Sequence, residues 1–470
     1  MTQDDQSASP GAPGRRARRV PTSRADRRRL RGERGGGKAG RRASGGRRKA
    51  PQPGKVVVKV ILASLVSLGL ATGLGVVMIY NNWNGNIARV SLDDQLGNDR
   101  PKKQKVAGPR EPMNILVMGS DSRDCKGCGV DGESTNGLSD TTILFHLSAN
   151  RKFAYGISIP RDTAVMRPTC YEPDGSEIRA ATTYDKWNAA FSYGGPACTI
   201  RQFEQTTGIP LDNYVVVNFG QFKDMVNALD GVEVCIPDDI DDDVRNIHLK
   251  AGTREIKGDE ALTYVRARYR IGDGTDPNRT RRQQAFIGSM INKALTKGML
   301  ARPDRIVGFM NAVTSGLQTD FENVAQMADL AVTAQGIGAD NIKFITTPWA
   351  YSDKVSSGIE WTPEVEKLWR LVLEDKRLTP EFLKDALSAG DRPDGSASGA
   401  PSGGQPSDPA SPSDDATSDA PSDDATSESA SDSPSESSSG SPSGTPSGGA
   451  VNPPGGGLST SGREAAGLCT

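Results

Sequence analysis

Histidine is nearly missing from this chain. Two occur in 470 residues, His146 in an apolar run and His248 in a polar connection. A Ser-His-Asp hydrolase needs a positioned histidine, and a histidine-ligated metal centre needs several, so both chemistries are disfavoured. No Walker phosphate loop, dinucleotide fingerprint or HisGluxxHis zinc motif is present. Long apolar runs are equally scarce: one uncharged stretch, Val60 to Tyr80, is long enough to matter. Phosphoryl transfer survives these absences. It needs carboxylates for a divalent ion, cations for phosphate oxygens and good positioning, but no histidine.

The apolar stretch matches the roughly 20 residues that cross a bilayer core. Ahead of it, residues 1–59 carry 18 Lys+Arg against 4 Asp+Glu, a net of +14. The positive-inside rule puts that arm in the cytoplasm and everything after Tyr80 outside. The run is too long for a cleaved signal peptide, and Tyr80–Trp83 offers no Ala-x-Ala-like site, so a signal anchor over 60–80 is expected. The Gly-, Ser- and Arg-rich arm cannot bury a core and is expected to be disordered. Topology alone accounts for its charge; contact with nucleic acid or anionic lipid is the alternative, and no nucleic-acid partner is expected. Residues 81–111 read as a stalk. Residues 391–470 are Ser-, Pro-, Gly- and Asp-rich, repeat ProSerAspAspAlaThrSer at 412–418 and 421–427, and hold 12 acids against 2 bases. A disordered acidic tail is expected there. The near-neutral whole therefore averages a basic end against an acidic one.

Residues 112–390 remain as the folding domain. Strand-like runs occur at 113–118, 142–147, 153–159, 214–219, 232–236 and 342–346. Helical spacing occurs at 221–229 and 284–295, where Phe222, Met225, Val226 and Leu229, then Phe286, Ile287, Met290, Ile291 and Leu295, recur every three or four residues. Further helices are expected at 303–316 and 321–336. Interleaved strands and helices predict an α/β or mixed α+β layered domain.

Six arginines fall between 266 and 282 with no lysine among them: Arg266, Arg268, Arg270, Arg279, Arg281 and Arg282. The planar guanidinium pairs two oxygens at once, which suits phosphate. Outside the cell and beside a membrane, that points to a lipid-borne phosphate. Three small-residue turns flank predicted strands. GlySerAspSerArg (119–123) presents Asp121 and Arg123, SerAspThrThr (139–142) presents Asp140, and SerIleProArgAspThr (158–163) presents Arg161 and Asp162. In α/β sheets such turns bind ligands. Asp121 and Asp140 suit magnesium, which takes one or two carboxylates beside substrate phosphate. Each aspartate alone could equally be a turn former. If Arg266 and Arg268 grip one pyrophosphate, the helix over 259–265 should end near Val265, because i and i+2 diverge on a helix and converge on extended chain.

The motifs GlyLeuSerAspThrThr, SerIleProArgAspThr, LysTrpAsnAlaAlaPheSerTyrGlyGly (186–195), the run from Val217 to Val234 and AlaLeuThrTyrValArgAlaArg…AspProAsnArgThrArgArgGlnGln together resemble the LytR-CpsA-Psr family, in order, over about 112–298. The resemblance implies an αβα domain with a central mixed sheet and a long groove for a polyprenyl chain, outside a single membrane helix. It implies a magnesium-dependent phosphotransferase that moves a glycopolymer from a polyprenyl-pyrophosphate carrier onto peptidoglycan. Asp121 and Asp140 match the metal-linked acids. Arg123, Arg161, Arg266, Arg268, Arg279 and Gln283 match pyrophosphate-contacting positions, with Asp276 nearby. Asp121 or Asp162 is a candidate base. Leu138 departs from the pattern, standing where many members carry arginine, and the C-x-x-C insertion at 125–128 is also unusual. A pyrophosphatase acting on the same lipid and a membrane-tethered regulator are the other open readings.

Five cysteines lie in the domain, and export permits disulfides. Cys170–Cys198 is the expected pair, with Cys125–Cys128 second. A zinc site would need two further ligands near the C-x-x-C. Cys235, alternating with apolar residues, reads as a buried thiol.

Overall fold

The computed structural model describes residues 53–121, 137–243, 247–315, 317–396 and 457–470. Helix α1, Pro53–Asn86, carries the apolar run and extends beyond it at both ends. It is long and apolar enough to cross a membrane.

From Leu70 onward the described chain forms one unit. Its centre is an eight-stranded mixed sheet. The strands are β1 (Ala88–Arg89), β2 (Met113–Ser120), β3 (Ser139–Leu147), β4 (Ala154–Ile159), β5 (Asn213–Asn218), β6 (Gln318–Thr319), β7 (Ile342–Thr346) and β8 (Leu387–Ser388). Their order is β1-β6-β5-β2-β3-β4-β7-β8. β2 runs antiparallel to β3 and parallel to β5, and β4 runs parallel to β7.

Period-2 alternation divides each strand between two layers. On β2, Leu116 and Met118 are fully buried on one face. There they meet Trp187, Phe191 and Phe203 at and within α2 (Ala189–Thr207) and Val365, Leu368 and Trp369 of α8 (Glu364–Leu373). Ile115 and Val117 point the other way, toward Ile287 and Ile291 of α5 (Asp276–Leu295) and Met327 and Leu330 of α7 (Val324–Ile337). The result is the expected αβα layering. A satellite core beside it joins α3 (Phe219–Ala228), α4 (Gly258–Arg266) and the hairpin Val232–Ile236/Gly252–Ile256. α6 (Pro303–Thr314) packs on α3.

Local signals explain the element ends. Phe219, read as the end of a strand, starts α3 instead. The Asn218 side chain accepts from the Gln221 amide and Gln221 returns the bond, a capping box. Pro277 in the first turn of α5 suits a position that donates no intrahelical bond. Gly194 and Gly195 break α2, Gly195 with φ 59°. A Cβ on Gly194 would lie 2.9 Å from the Cys198 Cβ and 3.7 Å from the Cys170 Cβ. That glycine makes room for the Cys170–Cys198 disulfide, which forms as expected with 5.2 Å between Cα atoms. Cys125 and Cys128 lie outside the described residues.

Three expectations are corrected. Residues 81–111 are more than a stalk: Ala88–Arg89 forms the edge strand β1, and Leu92 and Leu96 are buried in the same core as Leu116 and Met118. Cys235 is not a free thiol: it bonds Cys469, 234 residues away, with Cα atoms 5.7 Å apart. The acidic stretch is also not structureless throughout. Residues 391–396 and 457–470 belong to the domain, the latter with helix α9 (Thr460–Ala466). Leu458, Ala466 and Leu468 are buried in the same cluster as Ile115 and Phe344. The composition of the intervening stretch hid a short apolar segment whose burial and cross-link tie it down.

Candidate active site

The register of β2 sets Ser120 opposite Ser139 of β3 and opposite Asn218 of β5. Asp121, Asp140 and the N-terminus of α3 therefore share one end of the sheet. The Arg161-Asp162 turn follows β4, whose Ile159 pairs with Thr142 at that same end. α4 ends at Arg266, and Ala267 turns extended at φ −56°, ψ 134°. The helix thus ends within one residue of Val265, the expected place, and Arg266 and Arg268 leave it on different courses. α5 begins at Asp276 and presents Arg279 and Gln283.

Six of the predicted side chains make one cluster. Asp276 is its hub, with a side chain only 3% exposed. Its Oδ1 accepts from Arg268 Nη2 at 2.7 Å and from Arg279 Nη2 at 2.6 Å. Arg161 Nε stands 3.6 Å from the same oxygen. Arg161 also pairs with Asp140 Oδ1, and Arg279 Nη2 donates to the Asp140 carbonyl at 3.2 Å. Asp162 accepts from Lys186 Nζ at 2.8 Å and lies 3.4 Å from Arg268 Nη2. Burial alone would raise the Asp140 pKa, but Arg161 and Arg279 outweigh it and hold the carboxyl below its usual value. Burial pulls the Arg279 guanidinium down, against Asp276. For Arg161 the nearby aspartates prevail over burial and raise it.

The cluster is under-satisfied. Nε of Arg161, Arg268 and Arg279 and Oδ2 of Asp276 are buried without a hydrogen-bond partner. An unmade bond of this kind costs about 1–3 kcal/mol, more for charged groups. Three orphaned guanidinium donors around one carboxylate form a receptor for an oxyanion.

The remaining predicted residues frame this centre. Asp121 accepts at Oδ1 from the Leu138 amide, and its own amide donates to the Leu138 carbonyl at 3.0 Å, so it is fastened to the chain entering β3. The Arg266 guanidinium lies 4.5 Å over the Phe219 ring. Gln283 bonds Thr141 Oγ1 and the Val265 carbonyl, both at 3.1 Å, and locks α4 to β3. Arg123 lies outside the described residues. Arg282, from the same arginine run, serves the fold: it donates to the carbonyls of Tyr264, Ala267 and Ala466, and among the described residues it forms no ion pair. Burial lowers its pKa to about 10. Lys186 opens the LysTrpAsnAlaAla motif, and nothing in that motif signals its role; its place on Asp162 depends on a contact 24 residues away in sequence. Both histidines are away from the cluster. His146 is buried between Asn114 and Asp375, and His248 is exposed on a hairpin.

An apolar cavity of about 440 Å³ opens onto the cluster. Its walls are the β2, β3 and β5 residues of one sheet face, including Val117, Phe145 and Val215, and helices α3, α4, α5, α6 and α7. Asp140, Arg266, Arg279 and Gln283 supply its polar end. A cavity of that size with charge at one end suits a long apolar chain carrying an anionic head.

Comparison with known proteins agrees in kind. The model of the LytR_cpsA_psr family matches residues 79–372. Polyisoprenyl-teichoic acid–peptidoglycan teichoic acid transferase TagV of Bacillus subtilis is 30% identical over 257 residues, which are 54% of this chain and 61% of TagV. TagT of the same organism, which carries the same transferase name, is 30% identical over 271 residues, 56% of this chain and 78% of TagT. The crystal structure of B. subtilis TagV aligns with 57% of this chain and 99% of its own at 27% identity and a TM-score of 0.43. With the family model covering well over half of its residues, including seven of the eight sheet strands, the cavity and the arginine-aspartate cluster, the chain belongs to the LytR_cpsA_psr family.

Proposed function

We propose that this protein is a magnesium-dependent phosphotransferase that moves a glycopolymer from a polyprenyl-pyrophosphate carrier to peptidoglycan on the outer side of the membrane. The observation that carries the reading is an ion cluster with three buried Nε donors that lack hydrogen-bond partners, joined through Arg279 and Asp140 to the polar end of an apolar cavity. The printed name of TagV, a polyisoprenyl-linked polymer transferase, supports the same substrate class.

In this reading the polyprenyl chain lies in the cavity and the pyrophosphate takes Arg161, Arg268 and Arg279, with Arg123 and Arg266 beside it. The arginines accept charge as it develops on phosphate oxygens. Asp121 and Asp140 offer an oxygen-only donor set at adjacent strand ends, on either side of the Ser120–Ser139 pairing. That set fits magnesium better than a soft metal. Asp121 and Asp140 would hold it, and when bound it would neutralise phosphate charge. Gln283 keeps the cavity mouth in shape. The net positive arm implies that α1 is oriented with the N-terminus in the cytoplasm.

The test combines purified protein, lipid-linked glycan and peptidoglycan, with and without chelator. Polyprenyl phosphate should be released and glycan should become covalently linked to peptidoglycan through a phosphodiester, only with magnesium. Asp121→Asn and Asp140→Asn should each remove that release. Release with no transfer would make the protein a pyrophosphatase, and full activity in chelator would remove the metal.

A further inference from the structure

A second hollow borders the same ion cluster. It is a polar cleft of about 560 Å³, lined by Asp162, Arg268, Thr275, Asp276, Tyr351 and Asp353 among others, and it shares no residue with the apolar cavity. Asp276 Oδ1 joins the two: Arg279 reaches it from the apolar side and Arg268 from the polar side. The unpartnered, buried Asp276 Oδ2 belongs to this residue of the cleft.

The outer wall is the hairpin Trp349–Ser352/Gly358–Trp361. It is fastened to the catalytic turn, since the Ile359 amide donates to the Asp162 carbonyl at 3.1 Å and Thr163 bridges Ile359. On that hairpin the Tyr351 ring is 73% exposed and rests edge-on against Trp349, with centroids 5.3 Å apart. A large aromatic held open beside carboxylates and hydroxyls is suited to a sugar, whose C–H face lies on a ring while its hydroxyls take polar partners.

Resting on the function proposed above, we infer that this cleft is the acceptor site, where a hydroxyl-bearing sugar of the wall polymer docks. In phosphoryl transfer the attacking and leaving oxygens lie roughly in line across phosphorus. A polyprenyl phosphate leaving into the apolar cavity therefore requires the acceptor to enter from the other side of the cluster. The acceptor hydroxyl oxygen forms a bond to the glycan-bearing phosphorus. The bond from that phosphorus to the bridging oxygen breaks, and its electron pair stays on the departing polyprenyl phosphate. The hydroxyl proton goes to the Asp162 carboxylate, which lines the cleft. Tyr351 and the hairpin set acceptor affinity and take no part in lipid binding.

Two exposed wall positions test this: Tyr351→Ala removes the ring and Ser356→Trp fills the cleft. Each should raise the acceptor KM about tenfold, the scale of one lost aromatic contact, while calorimetric binding of polyprenyl phosphate and the melting temperature stay unchanged. Independently of any variant, hydrogen exchange on the lipid-loaded wild-type protein should show residues 351–358 protected by a soluble peptidoglycan oligosaccharide. Unchanged KM in both variants, or no protection at 351–358, overturns the acceptor site. Failure of the wild-type protein to bind polyprenyl phosphate overturns the function beneath it, and the calorimetry reports that separately.

Discussion

The two faces of the central sheet are built from the same kind of residue and end in different states. Beneath β2, Leu116 and Met118 are sealed by Trp187, Phe203 and Trp369. Above it, Val117 lines an apolar cavity with Phe145 and Val215. One face is closed by buried aromatic side chains, which makes it a core. The other is roofed by five helices that stand off enough to leave 440 Å³. The difference teaches that a strand pattern specifies which residues are apolar and not whether protein or ligand covers them.

The largest effect should come from breaking the closed face. Leu116→Ala should cost about 2–5 kcal/mol of stability in urea titration, the range for a fully buried leucine. Met290→Ala, on the open face, should cost clearly less and instead weaken polyprenyl-phosphate binding. Equal losses would mean both faces are simply core. Next comes the bridge that secures the C-terminal segment on the open side. Replacing Cys235 and Cys469 together by serine should cost about 2–5 kcal/mol and expose residues 457–470 to protease. An unaffected melting temperature would show that α9 contributes little.

Within the site, Arg268→Lys keeps charge and loses the two-nitrogen fork. Binding of polyprenyl pyrophosphate should fall by about 1.5–3 kcal/mol, the scale for hydrogen bonds to charged groups, and nearly as far as with Arg268→Ala. Full binding by the lysine variant would reduce the arginines to general attraction. The smallest effect concerns pH. Arg161 and Arg279, acting against burial, hold the folded Asp140 below its ordinary pKa. Its stabilising contribution is therefore present above the unfolded value of about 3.9 and is lost as pH falls through the lower folded value. Asp140→Asn should flatten the acid limb of the stability profile below about pH 4; an unchanged limb would show that its ionisation is not coupled to folding.

Of the candidate site, Asp140, Arg161 and Asp162 were legible as turns at strand ends, Arg268 and Arg279 as part of a lysine-free arginine run, and Asp276 only through the family resemblance. Their division of labour was not. Arg279 and Arg282 sit three residues apart in one run, yet one faces Asp276 and the other binds three backbone carbonyls. One turn of a helix separates the two surroundings, and sequence spacing does not say which neighbour is an acid. Arg266 and Arg268 diverge for a similar reason: the helix ends between them, and one lines the apolar cavity while the other lines the polar cleft.

The sequence by itself determined the apolar helix, the strand and helix segments, the family and the arginine-aspartate chemistry, because periodicity, charge and short motifs are local. Only the tertiary structure decided that Cys235 meets Cys469, that Lys186 reaches Asp162, and that one sheet face stays open. Those outcomes depend on contacts between residues far apart in the chain and on how closely whole helices approach the sheet, and no local pattern encodes that distance.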